Sequence, residues 1–87
     1  MIEQKENGFY IGDRANPDAE ILYEESNIVT ITHTYVSENM RGQGIAEKLL
    51  NKVIEYAISK GKKILPVCSY AKKKLSKEEY KGLIVKQ

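Results

Sequence analysis

Hydrophobic residues in this chain change period once, across a short glycine-bearing segment, and that change narrows the architectures open to it. Before the segment, Ile28 to Val36 is the longest β-branched run in the chain. With period two, Val29, Ile31, His33 and Tyr35 share one face, and Thr30, Thr32, Thr34 and Val36 share the other. After the segment, Ile45, Leu49, Val53 and Ala57 recur every four residues, with Ala46, Leu50, Ile54 and Ile58 beside them. Glu47, Lys48, Asn51, Lys52 and Glu55 occupy the opposite side, so the spacing predicts an amphipathic helix of about four turns. Gly61 stands where a left-handed C-cap is expected, with Lys60 in the last turn.

The flanking segments extend this strand–turn–helix unit. Gly8-Phe9-Tyr10-Ile11-Gly12 reads as a short strand, and Asp13 to Asp18 supplies turn chemistry after it. Glu20 to Glu24 reads as a second strand, joined by Glu25-Ser26-Asn27 to the β-branched run. Short turns between these three strands predict an antiparallel meander. Beyond the helix, Lys63-Ile64-Leu65-Pro66-Val67-Cys68 reads as a fourth strand. Pro66 cannot donate to a ladder, so this strand lies at an edge or parts from its neighbour there. Ser76-Lys77-Glu78-Glu79 fits a capping box and predicts a short C-terminal helix burying Tyr80 and Leu83. The expected fold is α/β (α+β): a mainly antiparallel sheet, with the long helix crossing over to a strand parallel to the third.

The 87 residues make room for one domain, taken as 1–87. No apolar run approaches the roughly 20 residues that span a bilayer, and the polar N-terminus does not read as a secretory signal. A cytoplasmic protein is expected. Cys68 is the only cysteine and His33 the only histidine, which excludes an internal disulfide and argues against a closed zinc site. The formal net charge of +2 is too small to argue for nucleic acid. Lys72, Lys73, Lys74 and Lys77 form a local basic cluster that reads as solvated surface. Apart from Tyr70, no aromatic platform interleaves these lysines, so nucleic-acid binding is disfavoured.

The chemistry concentrates in Arg41-Gly42-Gln43-Gly44-Ile45-Ala46. Glycines at a helix N-terminus let the backbone approach a ligand closely while leaving unpaired N–H groups. The helix dipole adds about half a positive charge there, and Arg41 adds a full one. The combination suits an anion such as a diphosphate. No Gly-Lys-Ser/Thr follows, which excludes the Walker pattern, and the glycine spacing excludes the dinucleotide-binding one.

Arg41-x-x-Gly44-x-Ala46 resembles the Arg/Gln-x-x-Gly-x-Gly/Ala signature of the GNAT acetyltransferase superfamily. Thr32-His33-Thr34-Tyr35-Val36 before it and Pro66-Val67-Cys68-Ser69-Tyr70 after the helix are similar to the compact GNAT-like family of roughly 90-residue acetyltransferase-like proteins. The resemblance covers about Gly8 to Leu83. It implies a minimal GNAT-like fold in which the strands before the loop and after the helix splay apart around coenzyme A. By this resemblance Arg41, Gly42, Gln43, Gly44, Ile45 and Ala46 wrap the pyrophosphate. Tyr35 and Val36 lie beside pantetheine, and Cys68, Ser69 and Tyr70 lie near the thioester. The lysine cluster has neutralising the 3′-phosphate as its alternative reading.

The implied activity is acetyl-CoA-dependent N-acetyl transfer to an amine, small molecule or protein, of unknown identity. Such transfer needs a deprotonated amine, a polarised carbonyl and an acid for the thiolate. His33 is the candidate base and Tyr70 the candidate acid, while Cys68 opens a covalent acetyl-cysteine route. Each has a plainer reading: a small core residue for Cys68, a hydrogen-bonded strand residue for His33, a ring capping the sheet for Tyr70. Tyr10, Tyr23, Tyr56 and Tyr80 are assigned to packing. Only Asp13 to Ala19 separates the first two strands, too little to wall in an acceptor. The alternative is therefore a non-catalytic acyl-CoA-binding module serving as sensor or partner, as a monomer or weak dimer.

Overall fold

The computed structural model describes residues 1–85; Lys86 and Gln87, the last residues of the expected 1–87 domain, lie outside them. The elements are β1 (Glu3–Lys5), β2 (Gly8–Gly12), β3 (Pro17–Glu25), β4 (Val29–Val36), a 3₁₀ turn (Glu38–Met40), α1 (Ile45–Lys60), β5 (Ile64–Pro66), α2 (Ser69–Lys74) and a second 3₁₀ turn (Glu78–Tyr80). The five strands stand in the order β1-β2-β3-β4-β5. The first four are antiparallel to their neighbours, and β5 runs parallel to β4, as a crossover through α1 requires. β1 was not foreseen, because Glu3-Gln4-Lys5 carries no apolar alternation and pairs only as a polar edge.

β4 departs from strict alternation. Opposite β3, Leu22 pairs with His33 but Tyr23 pairs with Ile31, so Thr32 is an extra residue without a partner. Such a bulge reverses the facing of everything beyond it. Val29 and Ile31 are fully buried, whereas His33 and Tyr35 are exposed. Thr34 and Val36, opposite the buried Ile21 and Ala19, turn inward instead. The expected common face of Val29, Ile31, His33 and Tyr35 is thus corrected.

α1 covers most of the inner face, and Ala71 and Leu75, after β5, join the same core. Leu49, Leu50, Val53 and Ala57 of α1 pack with Phe9, Ile11, Ala19, Ile21, Tyr23, Val29, Ile31 and Ile64. Tyr56 stacks on Tyr23 with ring centroids 5.4 Å apart and meets the edge of Phe9. α1 ends as its sequence predicts. Gly61 adopts φ 68°, its N–H donates to the carbonyl of Ile58, and that of Lys62 donates to Ala57. The opposite face of the sheet carries no helix among the described residues. No helix among them is long and apolar enough to cross a membrane.

After β5 the chain forms α2, which the basic cluster at Lys72, Lys73 and Lys74 did not foretell. The cap is Cys68, whose Sγ accepts the N–H of Ala71 at 3.4 Å. The predicted capping box does not form. Ser76 Oγ donates to the carbonyl of Lys73 at 2.8 Å, and only a 3₁₀ turn follows. Tyr80 and Leu83 are half-buried against the core. The segment then docks on the free edge of β5: Ile64 N–H donates to Leu83 and Val85 N–H to Ile64, both at 2.9 Å.

Candidate functional site

The site begins where β4 and β5 part. Their ladder ends at Ile31 and Pro66, and the carbonyl of Ile31 accepts both Val67 N–H at 2.9 Å and Cys68 N–H at 3.1 Å. The chain then turns into α2 while β4 runs on to Val36. Ile64 N–H points to the C-terminal segment, so by alternation Pro66, two residues on, lacks its N–H on that edge and not toward β4. The parting is made by the turn at Val67 and Cys68. On the other side of β4, Ser37 N–H donates to Asp18 at 2.8 Å. By the alternation of an antiparallel ladder, the backbones of His33 and Tyr35 face β3 and those of Thr34 and Val36 face the notch. Thr34 therefore occupies the place that the resemblance allotted to the backbone of Tyr35.

At the end of β4 the Arg41 side chain folds back, Nε donating to the carbonyl of Val36 at 3.1 Å. Gly42 (φ 80°) and Gly44 (φ 72°) both take left-handed conformations. A Cβ on either would meet nothing within 4 Å. Glycine is needed for the backbone angle, not to relieve a clash, and the loop's outer surface is open. Gly44 caps α1 without a side-chain acceptor, so the N–H groups of Ile45, Ala46 and Glu47 point out of the first turn without intrahelical partners.

Val36, Met40, Arg41, Gly44, Ile45 and Tyr70 line a cleft of about 270 Å³, together with Gly42, Ala46, Glu47 and Lys74. Most of the expected binding residues thus meet in one place. Gln43 does not: it lines the neighbouring groove between α1 and the N-terminal segment, and its Nε2 donates to Asn39 at 3.4 Å. Cys68 is half-buried, with Sγ 3.4 Å from Thr34 Oγ1 at the inner side of the notch. Ser69 is exposed at the start of α2. His33 and Tyr35 lie on the outer face, where His33 Nε2 is 3.6 Å from Glu20 Oε2. The strand facing therefore sets His33 across the sheet from Cys68.

Three cleft residues escaped the sequence reading: Lys74, Met40 and Glu47, the last assigned to the polar side of α1. Lys74, taken as solvated surface, is half-buried, with Nζ 6.0 Å from the centroid of the Tyr70 ring. The signal was its i+4 spacing from Tyr70, which has meaning only once Ser69–Lys74 is known to be helical. Met40 packs between the cleft and the neighbouring groove. The Tyr70 phenol is pushed above the ordinary tyrosine value, first by burial and then by Glu47 and Cys68. It holds its proton through the neutral range.

The splayed parallel strand, with a glycine turn opening the helix beside it, defines the class as a GNAT-type α/β fold. The chain belongs to the GCN5-related N-acetyltransferase family, whose model matches residues 8–83. Among solved structures, it resembles the NMR solution structure of a GCN5-like protein from Staphylococcus aureus, with 43% identity and a TM-score of 0.80. That similarity covers 100% of this chain and 89% of the staphylococcal one. Comparison with curated proteins returned no match.

Proposed function

We propose that this chain binds acetyl-CoA in the cleft between β4 and α2 and transfers the acetyl group to an amine. One observation carries the reading: unpaired N–H groups of α1, Arg41 and Lys74 converge at the mouth of the notch left by β4 and β5. The donor set fits the ligand. Arg41, Lys74 and the first-turn amides of α1 would hold the diphosphate. Thr34 and Val36 would offer backbone groups to the pantetheine amides. A Cβ on Gly42 or Gly44 would stand in the open space beside the loop.

When bound, acetyl-CoA supplies an activated thioester carbonyl. Tyr70, kept protonated by burial, would give its proton to the departing sulfur. His33 would take the proton of an amine reaching the notch from the uncovered outer face. Cys68 lies beside the notch as the cap of α2, and its contact with the Ala71 N–H supports a covalent acetyl-cysteine route as a variant of the same reaction. The bare outer face supports the second reading, an acyl-CoA-binding module without turnover. The absence of an internal disulfide suits a cytoplasmic setting, and the occupied edge of β5 suits a monomer.

A thermal-shift titration with acetyl-CoA and CoA tests binding. A ligand of the folded state stabilises it by about 2.7 kcal/mol at a hundredfold excess over Kd. Arg41→Glu is expected to abolish the shift while leaving the midpoint of the free protein nearly unchanged, since Arg41 is exposed. No shift with the native chain at millimolar acetyl-CoA would overturn the reading. Intact-mass analysis then separates the routes: one added acetyl group on Cys68 marks the covalent route. Binding with neither modification nor turnover on any amine marks the module.

A further inference from the structure

The outer face of the sheet holds one sheltered cluster of titratable groups that the cleft does not explain. Glu20 lies in the middle of β3, in register with Tyr10 on β2 and Tyr35 on β4. Its side chain is only 17% exposed, and its two oxygens have different partners. Oε1 accepts a hydrogen bond from Lys5 Nζ at 3.1 Å, and Oε2 faces His33 Nε2 at 3.6 Å. Lys5 is itself held over the Tyr10 ring at 5.3 Å. A carboxylate this sheltered needs partners for both oxygens, and the bulge at Thr32 turns His33 to the face where it becomes the second. Lys5 accounts for Glu20 as a link between β1 and β3, but not for the orientation of the other oxygen.

We propose that Glu20 is a positioning residue for His33, holding Nε2 as the protonated nitrogen and leaving the Nδ1 lone pair free toward the outer face. The proposal rests on the acetyl-transfer reading above. An ammonium arriving on that face gives its proton to Nδ1 and becomes the neutral amine. The imidazolium so formed keeps its Nε2–H directed at Glu20 Oε2, whose charge offsets the new positive one, while Lys5 keeps the carboxylate from swinging away. The 3.6 Å separation is an ion-pair distance, and a small rotation of the half-exposed imidazole brings it to hydrogen-bond length.

His33 is the only histidine, so its imidazole nitrogens are read by ¹⁵N NMR without assignment. At alkaline pH the native chain is expected to show a single tautomer protonated at Nε2. Lys5→Met should retain it. Lys5→Met with Glu20→Leu, which removes carboxylate and lysine together, should give a mixture of tautomers. An unchanged tautomer after loss of the carboxylate overturns the proposal, whether or not the chain transfers acetyl groups. With acetyl-CoA and poly-L-lysine as substrates, Glu20→Gln is expected to lower kcat roughly tenfold, a part of what a general base supplies. KM for acetyl-CoA should not change, and Glu20→Gln should have no further effect in a His33→Gln background. An equal loss in both backgrounds would mark Glu20 as purely structural. Failure of the acetyl-CoA thermal shift would instead remove the function reading, and the NMR comparison would still decide whether Glu20 orients His33.

Discussion

Tyr70 concentrates the residue-scale argument. It stands at the second position of α2, half-buried in the cleft, with Glu47 and Cys68 adding to the effect of burial on its phenol. A group whose proton is held more tightly than usual serves as an acid that is always loaded near neutrality. Removing only the hydroxyl, by Tyr70→Phe, is expected to lower kcat by about 10² or more, with little change in the acetyl-CoA thermal shift. The sign of the pH dependence follows from the raised pKa. The protonated form persists beyond the ordinary value of about 10, so the contribution of Tyr70 to kcat should hold through the neutral range and be lost as pH rises through the elevated value. A kcat–pH profile of the Tyr70→Phe variant should lack that alkaline fall. If both profiles fall alike, another group is the acid.

At the scale of elements, the bulge in β4 decides which side chains meet the notch and which face away. Thr32 is exposed and unpaired in register, and its hydroxyl donates to the Leu22 carbonyl at 3.4 Å. Without it, Ile31, His33, Thr34, Tyr35 and Val36 would alternate in, out, in, out, in along an unbroken ladder. Deleting Thr32 is therefore expected to leave urea stability close to that of the native chain. The strand would lose its local bend and twist, which bulges introduce. With them should go most of the thermal shift produced by acetyl-CoA. A deletion variant that binds acetyl-CoA as well as the native chain would show that the turn at Val67 and Cys68 alone makes the notch. α2 complements this element: six residues long, it is held by the Cys68 cap and carries both Tyr70 and Lys74 to the cleft.

Across the whole molecule, the end of the long helix is tied to the far end of the meander. Lys62 Nζ donates to Glu25 Oε2 at 2.7 Å and to the carbonyl of Ser26 at 2.6 Å, while Tyr56 donates its hydroxyl to the same carboxylate. The Glu25 carboxyl is held below the usual range, first by its bond from Lys62 and then by that from Tyr56. A depressed carboxylate contributes stability that is present above its ordinary value of 4.5 and is lost as pH falls through the lowered one. Lys62→Met should lower the urea midpoint at pH 6, with the difference from the native chain shrinking as pH is taken below 4.5. A difference that stays constant down to the acid limit would mean that Lys62 acts through its alkyl stem rather than its charge.

Local chemistry was enough for much of this. α1 and its Gly61 cap, the turns between the middle strands, and the unpaired amides where the glycine turn opens α1 follow from spacing and dihedral preference within a few residues of one another. Pro66 marked where β5 ends, although its missing N–H lies on the edge away from β4. Partnership across the chain decided the rest. Facing beyond Thr32 depends on its pairing with β3, which no single-strand alternation encodes, and so His33 went to the outer face with Glu20. α2 escaped notice because its cap is a cysteine and its six residues show no apolar period. The box at Ser76 to Glu79 was locally sound. It gave way because the following residues bond the free edge of Ile64 instead of continuing a helix. A cap, a turn or a helical stripe is settled by near neighbours. Which face a side chain occupies, and whether a lysine is solvent or site, is settled by contacts that close only when distant segments meet.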